Sequence, residues 1–276
     1  FEKKLSEAKA NGVLPKIVIP VAFAGQSPEM RRIYELAKAN GITVIEDASH
    51  AIGADYLEGK VGSGAFADMT VFSFHPVKII TTGEGGVVVT NDERLYDRLV
   101  RFRSHGITRD PRFLEQVPDG PWTYEQIDLG FNYRLTDIQA VLGRSQLKRI
   151  DAFIQRRRHL ARRYGELLKG LPLELPNSDG DLFSAWHLYV VRLKTEEVAI
   201  SRRELFVALQ QRNIGTNVHY IPVHLQPYYK RLGFKAGMFP QAERYYQQAL
   251  SLPMFYDLSE IEQDRVVQSL RELLKR

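Results

Sequence analysis

Cysteine is absent from the 276 residues. That excludes disulfides and thiolate chemistry and fits a cytosolic setting. Long apolar runs are absent too, and none approaches the roughly 20 residues that a membrane-spanning helix needs. The opening stretch FEKKLSEAKANG is charged and helical in pattern, without the apolar centre of a secretory signal. A cytoplasmic protein that does not engage membranes is therefore expected. Charge of one sign is not concentrated anywhere: Lys and Arg number 38 against 33 Asp and Glu, for a net charge of +5, and no basic arm or tail holds the excess. The densest basic cluster, Arg156, Arg157, Arg158, Arg162 and Arg163, falls in a helical pattern and reads as a solvated helix face. With no groove-reading motif present, nucleic acid is not an expected partner. A mildly basic enzyme that takes a polyphosphate ligand accommodates the balance.

What is present is an alternation of strand and helix signals. Ile17–Phe23 (IVIPVAF) reads as a buried strand. A helix follows, with Ser27 as cap, Pro28 at the first helical position and Gly41 as the stop. Met30, Ile33, Tyr34 and Ala37 share one face of that helix. Ile42–Glu46 is a second buried strand, ending at Asp47. Together they form a βαβ unit, which implies parallel strands and a right-handed crossover. Further strands are predicted at Met69–Phe74 and Gly86–Thr90, then a helix over Asp92–Ser104 capped by Asn91. Residues 105–135, rich in Gly, Pro and Asp, read as a long functional loop.

Thr136 with Gln139 forms a capping box that opens a long helix toward Lys169, with a break near Asp151. The remainder changes character. His187–Leu193 alternates as a strand, Ser201 with Glu204 opens a helix that stops near Gly215, Asn217–Ile221 is a strand candidate, and Ser259 with Glu262 opens the last helix. The expected organisation is an α/β domain over residues 1–150, with a mainly parallel sheet, followed by a small α+β domain over 151–276.

In open parallel sheets, ligands bind beyond the carboxyl ends of the strands. Asp47 ends one strand and Ser73 another, and Lys78 follows Ser73 by five positions. A carboxylate, a hydroxyl and an amine thus reach one sheet edge. This trio suits pyridoxal phosphate: a carboxylate keeps its pyridine nitrogen protonated, a lysine bonds its aldehyde carbon, and a hydroxyl helps to hold its phosphate. The glycines of Gly83-Glu84-Gly85-Gly86 permit tight turns and close backbone approach. Singly, each residue has a plainer reading: Asp as a turn former, Lys as a surface charge, His50 and His75 as hydrogen-bonded structural histidines. By spacing alone the chain is an α/β protein with a ligand edge.

The order of EDASHAIGA, FSFHPVKIITTGEGGVVVTND, RSHGI and GFNYRLTDIQAVLGRSQL closely resembles the DegT/DnrJ/EryC1/StrS sugar aminotransferases, over essentially the whole chain. HPVK, VAFAGQSPEM and VHYIPVHLQPYY resemble the branch that makes the amino sugar precursor of pseudaminic acid. The resemblance implies a type I, aspartate aminotransferase-like fold, pyridoxal 5′-phosphate as cofactor, L-glutamate as amino donor, a UDP-linked keto sugar as acceptor, and a homodimer with shared active sites. It implies no metal. Lys78 matches the lysine that bonds the cofactor, and Asp47 the partner of the ring nitrogen. His50 lies where the family places a residue near the ring hydroxyl, and Ser73 matches a phosphate-binding serine. Asn132 matches an asparagine that reaches the phosphate of the neighbouring subunit. His219, Tyr220 and His224 match a segment near the substrate, though Tyr220 fits equally as a core aromatic. Arg101, Arg103 and Arg134 are candidates for neutralising the diphosphate, and read equally well as plain surface arginines.

Two departures from the family pattern stand out. The chain opens on Phe1, inside a helical pattern, and the family's usual first segment, with phosphate-binding amides and a ring-stacking aromatic, is not among its residues. Ala22 stands where relatives carry His. Three activities compete: this transamination, transamination of another nucleotide-linked keto sugar, and cofactor or nucleotide binding without turnover. Dehydrating relatives carry His in place of the lysine, which Lys78 disfavours.

Overall fold

A computed structural model describes residues 1–57, 59–177 and 184–275. The chain divides into two compact units, one formed by residues 1–23 and 27–150 and the other by 24–26 and 151–276.

In the first unit, α1 (Glu2–Ala10) precedes a short edge strand, β1 (Ile17–Val18). The predicted strand over Ile17–Phe23 is shorter and less buried than expected. Pro20 has no N–H for a sheet ladder, so pairing lapses and returns only as a bridge between Val21 and Asp47. Ile17, Ile19 and Val21 stay about half exposed. Helix α2 (Met30–Lys38) starts after Glu29 rather than at Ser27, whose hydroxyl turns to the Pro28 carbonyl. Of the face read, Met30 and Ala37 are buried in a cluster with Leu5, Ile42, Val44 and Ala67 and Tyr34 packs against it, while Ile33 lies outside that cluster and Leu36 joins it.

Strand β2 (Thr43–Asp47) lies parallel to β1 on one side and, on the other, parallel to β5 (Met69–Ser73). Between them β3 (Asp55–Tyr56) and β4 (Gly59–Lys60) make a small hairpin. Strand β6 (Gly86–Val89) adds antiparallel to β5, so the sheet is mixed, in the order β1-β2-β5-β6. Helix α3 (Glu93–Arg103) is capped by Asp92 and not by Asn91. Asn91 instead donates to the Ser63 carbonyl, 2.9 Å away. The predicted loop over 105–135 contains one short pair, β7 (Ile107–Thr108) with β8 (Glu125–Gln126). Helix α4 (Asp137–Leu147) carries the expected capping box, and the predicted break falls just before α5 (Ile150–Leu167).

The second unit is built around α5, β9 (Leu173–Glu174), β10 (Tyr189–Leu193), α6 (Arg202–Gln211), α7 (Pro227–Arg231), α8 (Pro240–Gln248), β11 (Ala249–Leu252) and α9 (Glu260–Leu274). Its antiparallel sheet, β11-β10-β9, packs with α5, α6 and α9 around Tyr164, Tyr189, Leu205, Leu250 and Leu270. The predicted strand over Asn217–Ile221 does not form. Asn217 alone bridges to Ser251, and at Pro222 the chain passes into a single 3-10 turn, Val223–Leu225. Arg157 also departs from the solvated face read for its cluster. It is 6% exposed and donates to the carbonyls of Trp186, His187 and Met254. Residues 24–26 join this unit by close backbone approach: a Cβ on Gly25 would sit 2.7 Å from the Trp186 nitrogen. Among the described residues, no helix is long and apolar enough to cross a membrane.

Candidate active site

Because β2 and β5 are parallel, their carboxyl ends share one sheet edge, with Asp47 level with Val71 and Ser73 two residues beyond. The backbone of Asp47 is fixed on both sides: its N–H donates to the Pro20 carbonyl and its carbonyl accepts from Ala22, both at 2.9 Å. Its Oδ1 accepts from the Ser49 N–H at 3.0 Å, a turn that aims the carboxylate over the strand end. Successive side chains on a strand alternate in direction. The preceding residue, Glu46, accordingly lines a cavity of about 300 Å³ with Met30, Arg31, Tyr56 and Phe66. Glu46 is buried, which raises its carboxyl pKa, and the Thr70 hydroxyl donates to it at 3.0 Å.

Lys78 sits on the loop that links β5 to β6. Two bonds close this loop at its base: Phe74 N–H to the Gly85 carbonyl at 2.8 Å and Thr82 N–H to the Phe74 carbonyl at 3.1 Å. Inside it, Lys78 N–H donates to the His75 carbonyl at 2.9 Å, and Ile79 and Ile80 are buried as anchors. Burial lowers the pKa of the Lys78 amine below its ordinary value, and the Asp47 carboxylate partly opposes that by favouring the ammonium form. The carboxylate is thus near enough to the amine to favour its charged form. Ser73 ends β5 opposite Gly86, and its hydroxyl accepts from the His75 N–H at 3.3 Å. His50 is buried three residues beyond Asp47, with its ring 5.9 Å from that of Phe23.

Asn132 and Arg134 are exposed on a segment built against the end of α3. There Phe131 N–H donates to the Phe102 carbonyl, Tyr133 N–H donates to the Arg103 carbonyl, and Asn132 bridges to Ser104. Gly130 is required at this crossing, because a Cβ there would collide with the Gly106 nitrogen. Arg101 is engaged within the fold: its Nε lies 3.3 Å from Asp128 Oδ2, and its guanidinium lies over the Phe113 ring. Arg103 stays exposed.

His219, Tyr220 and His224 belong to the second unit. His219 Nδ1 lies 2.7 Å from Ser251 Oγ, and Tyr220 is 52% exposed. His224 is buried, with Nε2 2.9 Å from Glu243 Oε1 and its ring beside Phe239. Glu243 also accepts from the Gly237 N–H at 2.7 Å, so this pair ties the segment between α7 and α8 together. The His224 hydrogen bond holds the Glu243 carboxyl below the usual range.

Sequence reading passed over the residues of α4 that touch the Lys78 loop. Gln146 Oε1 accepts from the Thr81 N–H at 3.1 Å, and Gln139 Nε2 donates to the Glu84 carbonyl at 2.9 Å. The available signal was the spacing of Gln139, Gly143 and Gln146, which places them on one helix face.

The donor set at this edge fits pyridoxal phosphate: an amine of lowered basicity, a carboxylate that acts on it, and a hydroxyl at the neighbouring strand end. Residues 3–271 match the model of the DegT/DnrJ/EryC1/StrS aminotransferase family. The spore coat polysaccharide biosynthesis protein SpsC of Bacillus subtilis (strain 168) is 39% identical over 263 residues, spanning 94% of this chain and 67% of that protein. Among solved structures, Helicobacter pylori PseC, an aminotransferase involved in the biosynthesis of pseudoaminic acid, superposes with a TM-score of 0.82 at 32% identity, covering 93% of this chain and 66% of that one. The sugar aminotransferase Spr1654 from Streptococcus pneumoniae, in its PMP form, gives a TM-score of 0.83 at 30% identity, covering 94% of this chain and 69% of that one.

Proposed function

The chain belongs to the DegT/DnrJ/EryC1/StrS aminotransferase family, and on that premise we propose that it moves the amino group of L-glutamate to C4 of a UDP-linked 4-keto-6-deoxy-N-acetyl hexose on the route to pseudaminic acid. The family's members are pyridoxal-phosphate-dependent transaminases acting on nucleotide-linked sugars, and pyridoxal phosphate is the cofactor. The observation that carries the reading is the half-buried Lys78 amine, lowered in basicity and acted on by Asp47 at a shared strand edge. The likeness to PseC supports the choice of sugar.

Residue roles follow. Residues 1–150 form the cofactor-binding domain and 151–276 the smaller one, a reading that the contact division after Ile150 supports. Lys78 carries the cofactor, Asp47 pairs with its ring nitrogen, His50 lies near its ring hydroxyl, and Ser73 binds its phosphate. When bound, pyridoxal phosphate supplies the electron sink that stabilises charge at the carbon losing its proton. Lys78 Nζ takes the proton from the α-carbon of glutamate, a task that a lowered basicity favours because more of the amine is free to accept it. In the second half of the cycle, after 2-oxoglutarate has left, the same Nζ delivers a proton to C4 of the sugar. The two halves balance without an external oxidant. Arg134, His219, Tyr220 and His224 form the substrate-facing set.

The active unit is a homodimer in which Asn132 of the partner subunit completes each site. The surface of α4 supports this. Ile138 is 85% exposed and Val141 65%, and Leu129, Phe131 and Tyr133, shortly before the helix, are exposed as well; exposed apolar side chains in such number mark an interaction surface. A cysteine-free chain fits work in the cytoplasm.

The test is direct. Purified protein loaded with cofactor is supplied with L-glutamate and the UDP-linked 4-keto sugar. The expected result is amino sugar and 2-oxoglutarate in equal amounts. Turnover with a keto sugar on a different nucleotide, and none with the UDP sugar, would overturn the choice of substrate.

A further inference from the structure

We propose that Gln139 and Gln146 are positioning residues of the transamination, holding the Lys78 loop in place from α4. The inference rests on the role proposed for Lys78. Its first support is the number of independent contacts between helix and loop. Gln146 accepts from the Thr81 N–H at 3.1 Å, and Gln139 donates to the Glu84 carbonyl at 2.9 Å. Gly143 lies between them on the same face, and a Cβ there would sit 2.8 Å from the Thr82 methyl. Leu135, just before the helix, approaches Gly85 so closely that a Cβ on that glycine would lie 3.0 Å from Leu135 Cδ1.

The second support is the wiring within the loop. Thr81 receives Gln146 on its N–H, while its hydroxyl donates to the Phe74 carbonyl at 2.8 Å and accepts from the Gly83 N–H at 2.9 Å. Thr82 Oγ1 donates to the Glu84 carbonyl at 2.6 Å, the same oxygen that Gln139 holds. The two glutamines therefore hold the return limb toward β6 at two points, Thr81 and Glu84. Residues 75–77, just ahead of Lys78, are exposed, so the return limb is the side on which packing can fix the lysine. Gln139 Oε1 also serves the capping box, accepting from the Thr136 N–H at 3.0 Å. The start of α4, directly after Asn132 and Arg134, is thus tied to the Lys78 loop by one side chain.

This geometry allows a clean test. Gln139→Glu keeps an acceptor oxygen for the capping box and loses the N–H that reaches Glu84. Gln146→Ala loses the acceptor for Thr81, and Gln146→Glu restores one. Three readouts apply: hydrogen exchange of amides 79–86, the acylation rate of Lys78 in cofactor-free protein followed by mass spectrometry, and steady-state kinetics. In Gln139→Glu and Gln146→Ala we expect faster exchange confined to this loop. An amine freed into water regains basicity, so less of it is free base at pH 8 and its acylation slows about threefold. A displaced lysine lowers kcat about tenfold with KM for both substrates little changed. Gln146→Glu returns all three toward the parent. Loop exchange and Lys78 acylation identical to the parent in both variants would overturn the proposal. Altered acylation with undiminished turnover would instead remove Lys78 from the role on which it rests.

Discussion

Burial and a carboxylate pull on Lys78 in opposite directions, and burial is the stronger. The folded-state pKa of this lysine lies below its ordinary value of 10.5, so the folded chain binds fewer protons here than the unfolded one. The stability lost by burying the ammonium is therefore largest below the folded pKa. It is recovered as pH rises from there toward the ordinary lysine value. The same logic predicts the effect of Asp47→Asn. Removing the carboxylate removes what favours the ammonium, so the amine loses more basicity. Acylation of Lys78 in cofactor-free protein at pH 8 should speed up roughly two- to fivefold, while other lysines keep their rates. An unchanged or slower Lys78 would mean that the carboxylate does not act on the amine. At this scale the sequence was informative where motif and position coincide, as at Asp47, Ser73 and Lys78. It was silent where a residue's partners lie far along the chain. Arg157 reads as surface charge within its cluster, yet its partners are carbonyls 29, 30 and 97 residues away. Glu46 is adjacent to Asp47 but lines a cavity that Asp47 does not, and which residues line it depends on segments distant in the chain.

Helix starts were the most legible elements, because a capping box is closed entirely by residues three apart. All three predicted boxes form, at Thr136, Ser201 and Ser259. The last permits a quantitative expectation. Ser259 Oγ accepts from the Glu262 N–H at 3.2 Å, and its own N–H donates to Glu262 Oε2 at 2.8 Å. Helix α9 contributes Val266, Val267 and Leu270 to the core of the second unit. Ser259→Ala should therefore cost about 1 kcal/mol, read as a lower urea midpoint with an unchanged denaturant slope. A midpoint equal to the parent's would show that the cap adds nothing in this context. Where two cap residues stand side by side, pattern alone does not choose. Asn91 precedes Asp92, and the choice falls to Asp92 because Asn91 is drawn to Ser63 from a distant turn. Strands were harder for the same reason. The apolar pattern of IVIPVAF is real, but a strand exists through its neighbours, and Pro20 interrupts the ladder. Asn217–Ile221 alternates convincingly, yet within that stretch only Asn217 makes a strand bridge, to Ser251.

For the whole molecule, the α/β class and the family were readable because the motifs recur in order along the chain. The distribution of exposed surface was not readable, because it depends on which arc of each helix meets the fold. On α4 the polar and small residues Gln139, Gly143 and Gln146 face the Lys78 loop, while Ile138, Val141 and Leu142 face outward. That inverts the usual pattern of a surface helix, and a second copy of the chain is the proposed cover. The proposed dimer has a consequence that neither subunit shows alone. If Lys78 and Asn132 serve different subunits' sites, Lys78→Ala and Asn132→Ala proteins are each impaired, but a mixed dimer rebuilds one intact site. Random exchange of equal amounts makes half the dimers mixed, each with one good site of two. Activity should then recover to about a quarter of the parent value. The measurement is turnover after subunit exchange, with mixed dimers counted by differently tagged chains. Mixed dimers without recovered turnover would place Asn132 in its own subunit's site, and the exposed arc of α4 would then need a different occupant.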